Sequence, residues 1–126
     1  MTDRAVLDLK TFLPAKDFEI SRRFYHDLGF EEKWCNDEIC EMEIGQYRFL
    51  LQNFHVPEFA QNFMMSLLVE DVDRWWSHIL DLGLKEKYNL NLVRAPELQP
   101  WGLRVLYLSD PSGVLWHIAQ DPAGRP

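Results

Sequence analysis

The chain has 126 residues, a mass of 15.0 kDa, and 20 acidic against 13 basic residues, for a formal net charge of -7. Its length fits one compact domain, and a hydrophobic fraction of 47% belongs to a folded chain rather than a disordered one. The acidic balance argues against nucleic acid as a partner, because phosphate backbones need a basic footprint, and is compatible with a cationic ligand. No apolar run reaches the about 20 residues that span a bilayer, so no membrane role is expected. The opening Met1-Thr2-Asp3-Arg4 carries no apolar leader pattern, which makes the cytoplasm the expected location.

In chain order, Val6 to Pro14 reads as a strand stopped by its proline. Asp17 caps a helix in which Phe18, Ser21, Phe24, Tyr25 and Leu28 recur at helical spacing, and Gly29 closes it. Residues 30–36, Ile39 to Ile44 and Tyr47 to Asn53 read as three further strands. In the middle one, Cys40, Met42 and Ile44 face one way, and Glu41 and Glu43 face the other, read as a solvated outer face. The second half repeats this order. Met64 to Glu70 is an expected strand, Asp71 opens a helix that ends at Gly83, and Leu84 to Tyr88 is a strand. Asn89 to Pro100 is a loop, and Leu103 to Ser109 and Val114 to Ala119 are the last two strands. Cys35 and Cys40 lie outside any Cys-x-x-Cys pattern and read as buried or half-buried thiols.

The repetition extends to the residues. DLGFEEKW at 27–34 matches DLGLKEKY at 81–88 at an offset of 54, and the same offset carries the cap Asp17 onto Asp71. The chain therefore divides into a first βαβββ module (5–53), a linker (54–63) and a second βαβββ module (64–120). Each module is too small to bury a core alone. The expected fold class is α+β, one eight-stranded curved mixed sheet with helices outside.

Paired βαβββ modules, with SRRFYHDLGF at 21–30 and LSDPSGVLWHIA at 108–119, resemble the vicinal oxygen chelate superfamily of glyoxalases, extradiol dioxygenases, fosfomycin-resistance enzymes and bleomycin-resistance proteins. QPWG at 99–102, followed by an arginine and then the DPSG turn, looks most like the bleomycin-resistance branch. The enzymes of that superfamily hold a divalent ion with His, Glu or Gln from the first and last strands of each module. Here the first-strand positions are Lys10 and, 54 residues on, Met64; the last-strand positions offer Gln52 and His117. An ammonium has no lone pair and a thioether does not suit a hard ion, so at most two of four ligands remain. A catalytic ion normally takes three protein ligands. No metal, no cofactor and no catalytic set is therefore expected.

What the resemblance implies instead is a metal-free protein that sequesters an aromatic or cationic small molecule in a cleft lined by Lys10, Trp34, Gln52, Met64, Trp101, Arg104 and His117. Trp34 and Trp101 are the stacking candidates, whereas Trp75, Trp76 and Trp116 read as packing. His26 and His78 lie on helices and His55 in the linker. Lys10 either pairs with a cleft acid or meets a ligand anion, and Arg104 has the same two options. The branch's other aromatic positions hold Ser66 and Ile39, so a planar natural product related to bleomycin fits better than bleomycin itself. The resemblance also implies a two-fold homodimer. The competing expectation is a glyoxalase-like lyase or dioxygenase with an atypical divalent metal on Gln52 and His117.

Overall fold

A computed structural model describes residues 4–124. Its elements are β1 (Phe12–Pro14), α1 (Phe18–Leu28), β2 (Glu31–Cys35), β3 (Ile39–Ile44), β4 (Tyr47–Gln52), α2 (Pro57–Gln61), β5 (Met64–Leu68), α3 (Val72–Asp81), α4 (Leu84–Lys87), β6 (Val93–Leu98), β7 (Arg104–Ser109) and β8 (Leu115–Gln120). Both long helices start as expected. The Asp17 carboxylate accepts from the Ile20 N–H at 3.1 Å, and that of Asp71 accepts from the Asp73 and Arg74 N–H groups at 3.1 and 3.2 Å. Gly29 ends α1 at φ 128°, where its N–H reaches the Tyr25 and His26 carbonyls.

The offset of 54 holds through Gly83 and then fails. Leu84 to Tyr88 is not a strand; it forms the turn of helix α4. Leu84 is buried, and Lys85, Glu86 and Lys87 are good helix formers. The turn is fastened from the other module: the Lys87 ammonium and the Tyr88 hydroxyl both reach the Asp27 carboxylate of α1. Burial works against ionisation of Asp27, but these two hydrogen bonds outweigh it and keep the carboxyl below its ordinary range. The expected loop from Asn89 to Pro100 accordingly contains the missing strand, β6, and the expected linker contains α2. Of the strand expected from Val6, only Phe12 to Pro14 joins the sheet.

The two halves share one topology. The strand orders are β1-β4-β3-β2 and β5-β8-β7-β6, with β1–β4 and β5–β8 parallel and all other pairs antiparallel. The eight strands divide into two four-stranded sheets rather than one continuous ladder. The sheets meet through their helix-side faces. Trp116 of β8 lies 5.7 Å from Phe49 of β4 and 5.8 Å from Tyr25 of α1, ring centre to ring centre. The Tyr25 hydroxyl donates to Asp110 at 2.6 Å and accepts from the Trp116 indole N–H at 2.9 Å. Asp110 in turn accepts from the Ser112 and Val114 N–H groups, which builds the Asp110-Pro111-Ser112-Gly113 turn. Trp116 is buried, and Trp75 and Trp76 are partly buried against the same core, which matches the packing role expected of all three.

Cys35 and Cys40 are not thiols but a disulfide. The Asn36 side chain accepts from the N–H groups of Glu38 and Ile39, tightening the β2–β3 hairpin. That turn sets Cys35 opposite Cys40 in register, with Cα atoms 4.1 Å apart. Non-reduced, denatured protein is expected to show no thiol in a colorimetric titration, and both cysteines after reduction. Two thiols before reduction would remove the bond.

Candidate functional site

Because both sheets turn their helix-side faces to one core, their other faces look outward. On β3 and β4 the core residues Cys40, Met42, Phe49 and Leu51 alternate with the outward Ile39, Glu41, Glu43, Arg48, Leu50 and Gln52. Cross-strand register lines up Trp34, Glu41, Leu50 and Phe12 in one row. Lys10, just ahead of β1, joins this face: its Nζ is 2.8 Å from Asp8 and 3.2 Å from Glu41. Arg48 donates to Glu43 at 2.6 Å, and Lys33 lies 3.5 Å from the other Glu43 oxygen. Glu41 and Glu43 thus share the face of Trp34 and Lys10 as paired charges, not as a bare solvated surface. Glu41 is 8% exposed, whereas Trp34 is 47% exposed. The hydrogen bond to Asp8, then that to Glu41, raises the Lys10 ammonium above its ordinary value; Arg48 holds the Glu43 carboxyl below its own.

The second sheet repeats the plan. On β5, Met65 and Leu67 pack toward the core and Met64, Ser66 and Leu68 turn out; on β8, Trp116 and Ile118 turn in and Leu115 and His117 turn out. Register aligns Ser66, His117, Tyr107 and Arg94 in a row across all four strands. The Tyr107 and His117 rings meet edge-on at 4.8 Å. Trp101 stands at the tip of the β6–β7 hairpin, 58% exposed, where the Gly102 N–H closes a turn onto the Gln99 carbonyl at 2.9 Å. The positive φ of Gly102, 97°, is a conformation that glycine tolerates best.

The structure therefore places Lys10, Trp34 and Gln52 on the first outward face and Met64 and His117 on the second. Arg104 does not join them. It pairs in register with Gln120 on the helix side, and its guanidinium forks onto Asp73 of α3 at 2.8 and 3.0 Å. Arg48, Tyr107 and Arg94 share these faces without having been singled out from sequence, and Glu41, read there as part of a solvated outer face, joins them; the register that places them is a property of strand pairing.

The four positions that carry metal ligands in the enzymes of the superfamily are split two and two between the faces, and in one chain they do not converge. Lys10 is an ammonium already held by two carboxylates, and Met64 offers only a thioether. These residues do not fit a divalent ion of the usual type. Elsewhere, Glu32, Cys35 and Cys40 lie within 4.8 Å of one another. There the sulfurs are bonded to each other and Glu32 accepts the fork of Arg22 at 2.9 and 3.1 Å, so no ligand set is left.

Known proteins share this fold. Residues 8–118 match the Glyoxalase/Bleomycin resistance protein/Dioxygenase superfamily. A bleomycin resistance protein of Klebsiella pneumoniae is 29% identical over 125 residues, spanning 96% of this chain and 94% of the relative. Among solved structures, a bleomycin resistance determinant encoded on the transposon Tn5 superposes with a TM-score of 0.75 at 25% identity, covering 91% of this chain and 98% of its own. A bleomycin-binding protein complexed with bleomycin gives 0.76 at the same identity and coverage. The fold and its two outward faces define a duplicated βαβββ protein of the vicinal oxygen chelate type. The chain belongs to the Glyoxalase/Bleomycin resistance protein/Dioxygenase superfamily. Among the described residues, no helix is long and apolar enough to cross a membrane.

Proposed function

We propose that the protein sequesters a planar small molecule between two copies of the chain. The first outward face of one copy meets the second outward face of the other, in a two-fold homodimer with two equivalent clefts. The observation that carries this reading is the apolar surface left open on a lone chain. Phe12, Trp34, Met64, Leu68, Leu98 and Trp101 are each between 47% and 66% exposed, large apolar side chains of the kind that mark interaction sites where they gather. Trp34 and Trp101 supply the flat rings, and stacking on such a ring contributes about 0.5–1.5 kcal/mol. The likeness to a bleomycin-binding protein solved with bleomycin supports a drug-like ligand. The protein acts by binding, so abundance and affinity replace turnover, and an enzymatic role lacks the residues that would hold its ion.

The test combines mass and titration. Light scattering is expected to give about twice the chain mass of 15.0 kDa. Titration with bleomycin and a panel of planar heteroaromatic compounds is expected to quench tryptophan fluorescence, with Trp101→Ala weakening binding about tenfold. A monomer whose fluorescence no planar compound alters would overturn the reading.

A further inference from the structure

We infer that the row Arg94–Tyr107–His117 on β6, β7 and β8 is a subsite for an oxyanion carried by the planar ligand. The inference rests on the binding reading above and specifies the ligand's charge. The three residues are adjacent in register and share one face. The Arg94 guanidinium lies over the Tyr107 ring, 5.9 Å from its centre, and the edge of that ring meets His117 at 4.8 Å. A guanidinium supported on an aromatic face keeps its N–H edges free, and two parallel N–H groups match a carboxylate or a phosphate. His117 lines the same row as a second polar group, and Ser66 continues it.

The charge pattern points the same way. In this acidic chain, Arg22, Arg48, Arg74 and Arg104 each hold a carboxylate. Arg94 makes no ion pair among the described residues and keeps only its ring contact; Arg23 makes none either, but it stands on α1 and not on an outward sheet face. Glu97, on the same strand and face, stands beside Val105, past a bulge in β6, and forms no ion pair with it. On the first face, by contrast, Glu41 and Glu43 are already neutralised by Lys10, Arg48 and Lys33. The negative charge that a cationic ligand would need is engaged, whereas the positive charge that an anionic ligand needs is not.

The experiment uses the intact protein and four matched probes: 2-naphthoate, 2-naphthyl phosphate, 2-naphthol and 2-naphthylmethylammonium, titrated calorimetrically, with the oligomeric state followed in parallel. Both oxyanions are expected to bind about tenfold more tightly than 2-naphthol, and the ammonium probe least tightly. Carboxylate-over-phosphate preference tells the two oxyanion sources apart. Arg94→Ala is expected to bring the ratio of oxyanion to 2-naphthol affinity from about ten down to about one, and Arg94→Lys to keep part of that ratio. Equal binding of charged and neutral probes overturns the subsite but leaves the binding reading intact. So does an Arg94→Ala variant that weakens all probes alike or splits the dimer, which would make Arg94 an interface residue. If no probe binds, both the reading and the subsite fall.

Discussion

Replacing Tyr25 by phenylalanine is expected to lower the unfolding free energy by about 2–4 kcal/mol, although it removes a single oxygen. Tyr25 is fully buried, and its hydroxyl serves two partners at once, donating to Asp110 and accepting from the Trp116 indole. Phenylalanine keeps the edge-on ring contacts with Phe24, Phe30 and Phe49. The loss is therefore one of hydrogen bonding, not of packing. It leaves a buried indole N–H without its acceptor and a buried carboxyl without its strongest donor, and unsatisfied buried groups cost far more than the net value of a bond. Tyr107→Phe is the control: that hydroxyl has no hydrogen-bond partner among the described residues, and a change under about 0.5 kcal/mol is expected. Urea unfolding of the two variants decides the matter. Equal small losses would show that the Tyr25 bridge contributes little.

Asp110 sets the second large effect. Burial pushes its carboxyl up to about 6 against the opposing pull of the Tyr25 hydroxyl and the turn N–H groups. The unfolded group titrates at its ordinary value of 3.8. Between those values the folded state holds a proton that the unfolded state releases, so raising the pH favours unfolding. The contribution is fully present below about pH 4 and lost above about pH 6, and a shift of this size corresponds to roughly 3 kcal/mol. Other carboxylates act in the opposite sense: Glu32, for one, is held below its ordinary value by Arg22. The informative quantity is thus the stability of the natural protein minus that of Asp110→Asn, measured by urea unfolding at steps from pH 4 to 7. That difference is expected to fall with rising pH. A flat or rising difference would mean that Asp110 is not held protonated by its surroundings.

Much of the fold was legible because it is decided locally. Asp17 and Asp71 announce helix starts through their own side chains, and the alternation of Cys40 and Met42 with Glu41 and Glu43 separates two faces without knowledge of what either meets. The segment from Leu84 to Tyr88 was misread because its fate is set by Asp27, more than 50 residues earlier; a repeat that matches in letters diverges in shape when one copy gains a distant partner. The division into two sheets was hidden for a related reason. Strand patterns give the faces but not which faces meet, and that depends on Trp116 finding Phe49 and Tyr25. At the site, Gln52, Met64 and His117 were found through the superfamily's ligand positions and Trp34 through the branch's aromatic position, and the strand register puts all four on outward faces. Arg104 was singled out for its place after QPWG, and its pairing with Asp73 depends on how α3 packs against β7, which the sequence does not show; Arg94 escaped notice because its strand was taken for a loop.

The orientation of the two faces also bears on how errors in this protein would be tolerated. In the proposed dimer every cleft draws its first wall from the amino-terminal half of one copy and its second from the carboxy-terminal half of the other. A copy damaged at Trp34 and a copy damaged at Trp101 would then combine into a mixed dimer with one cleft missing both rings and one cleft entirely whole. Two defective copies could in this way restore half the binding capacity between them, a form of mutual rescue unavailable to a protein that builds its pocket within a single chain.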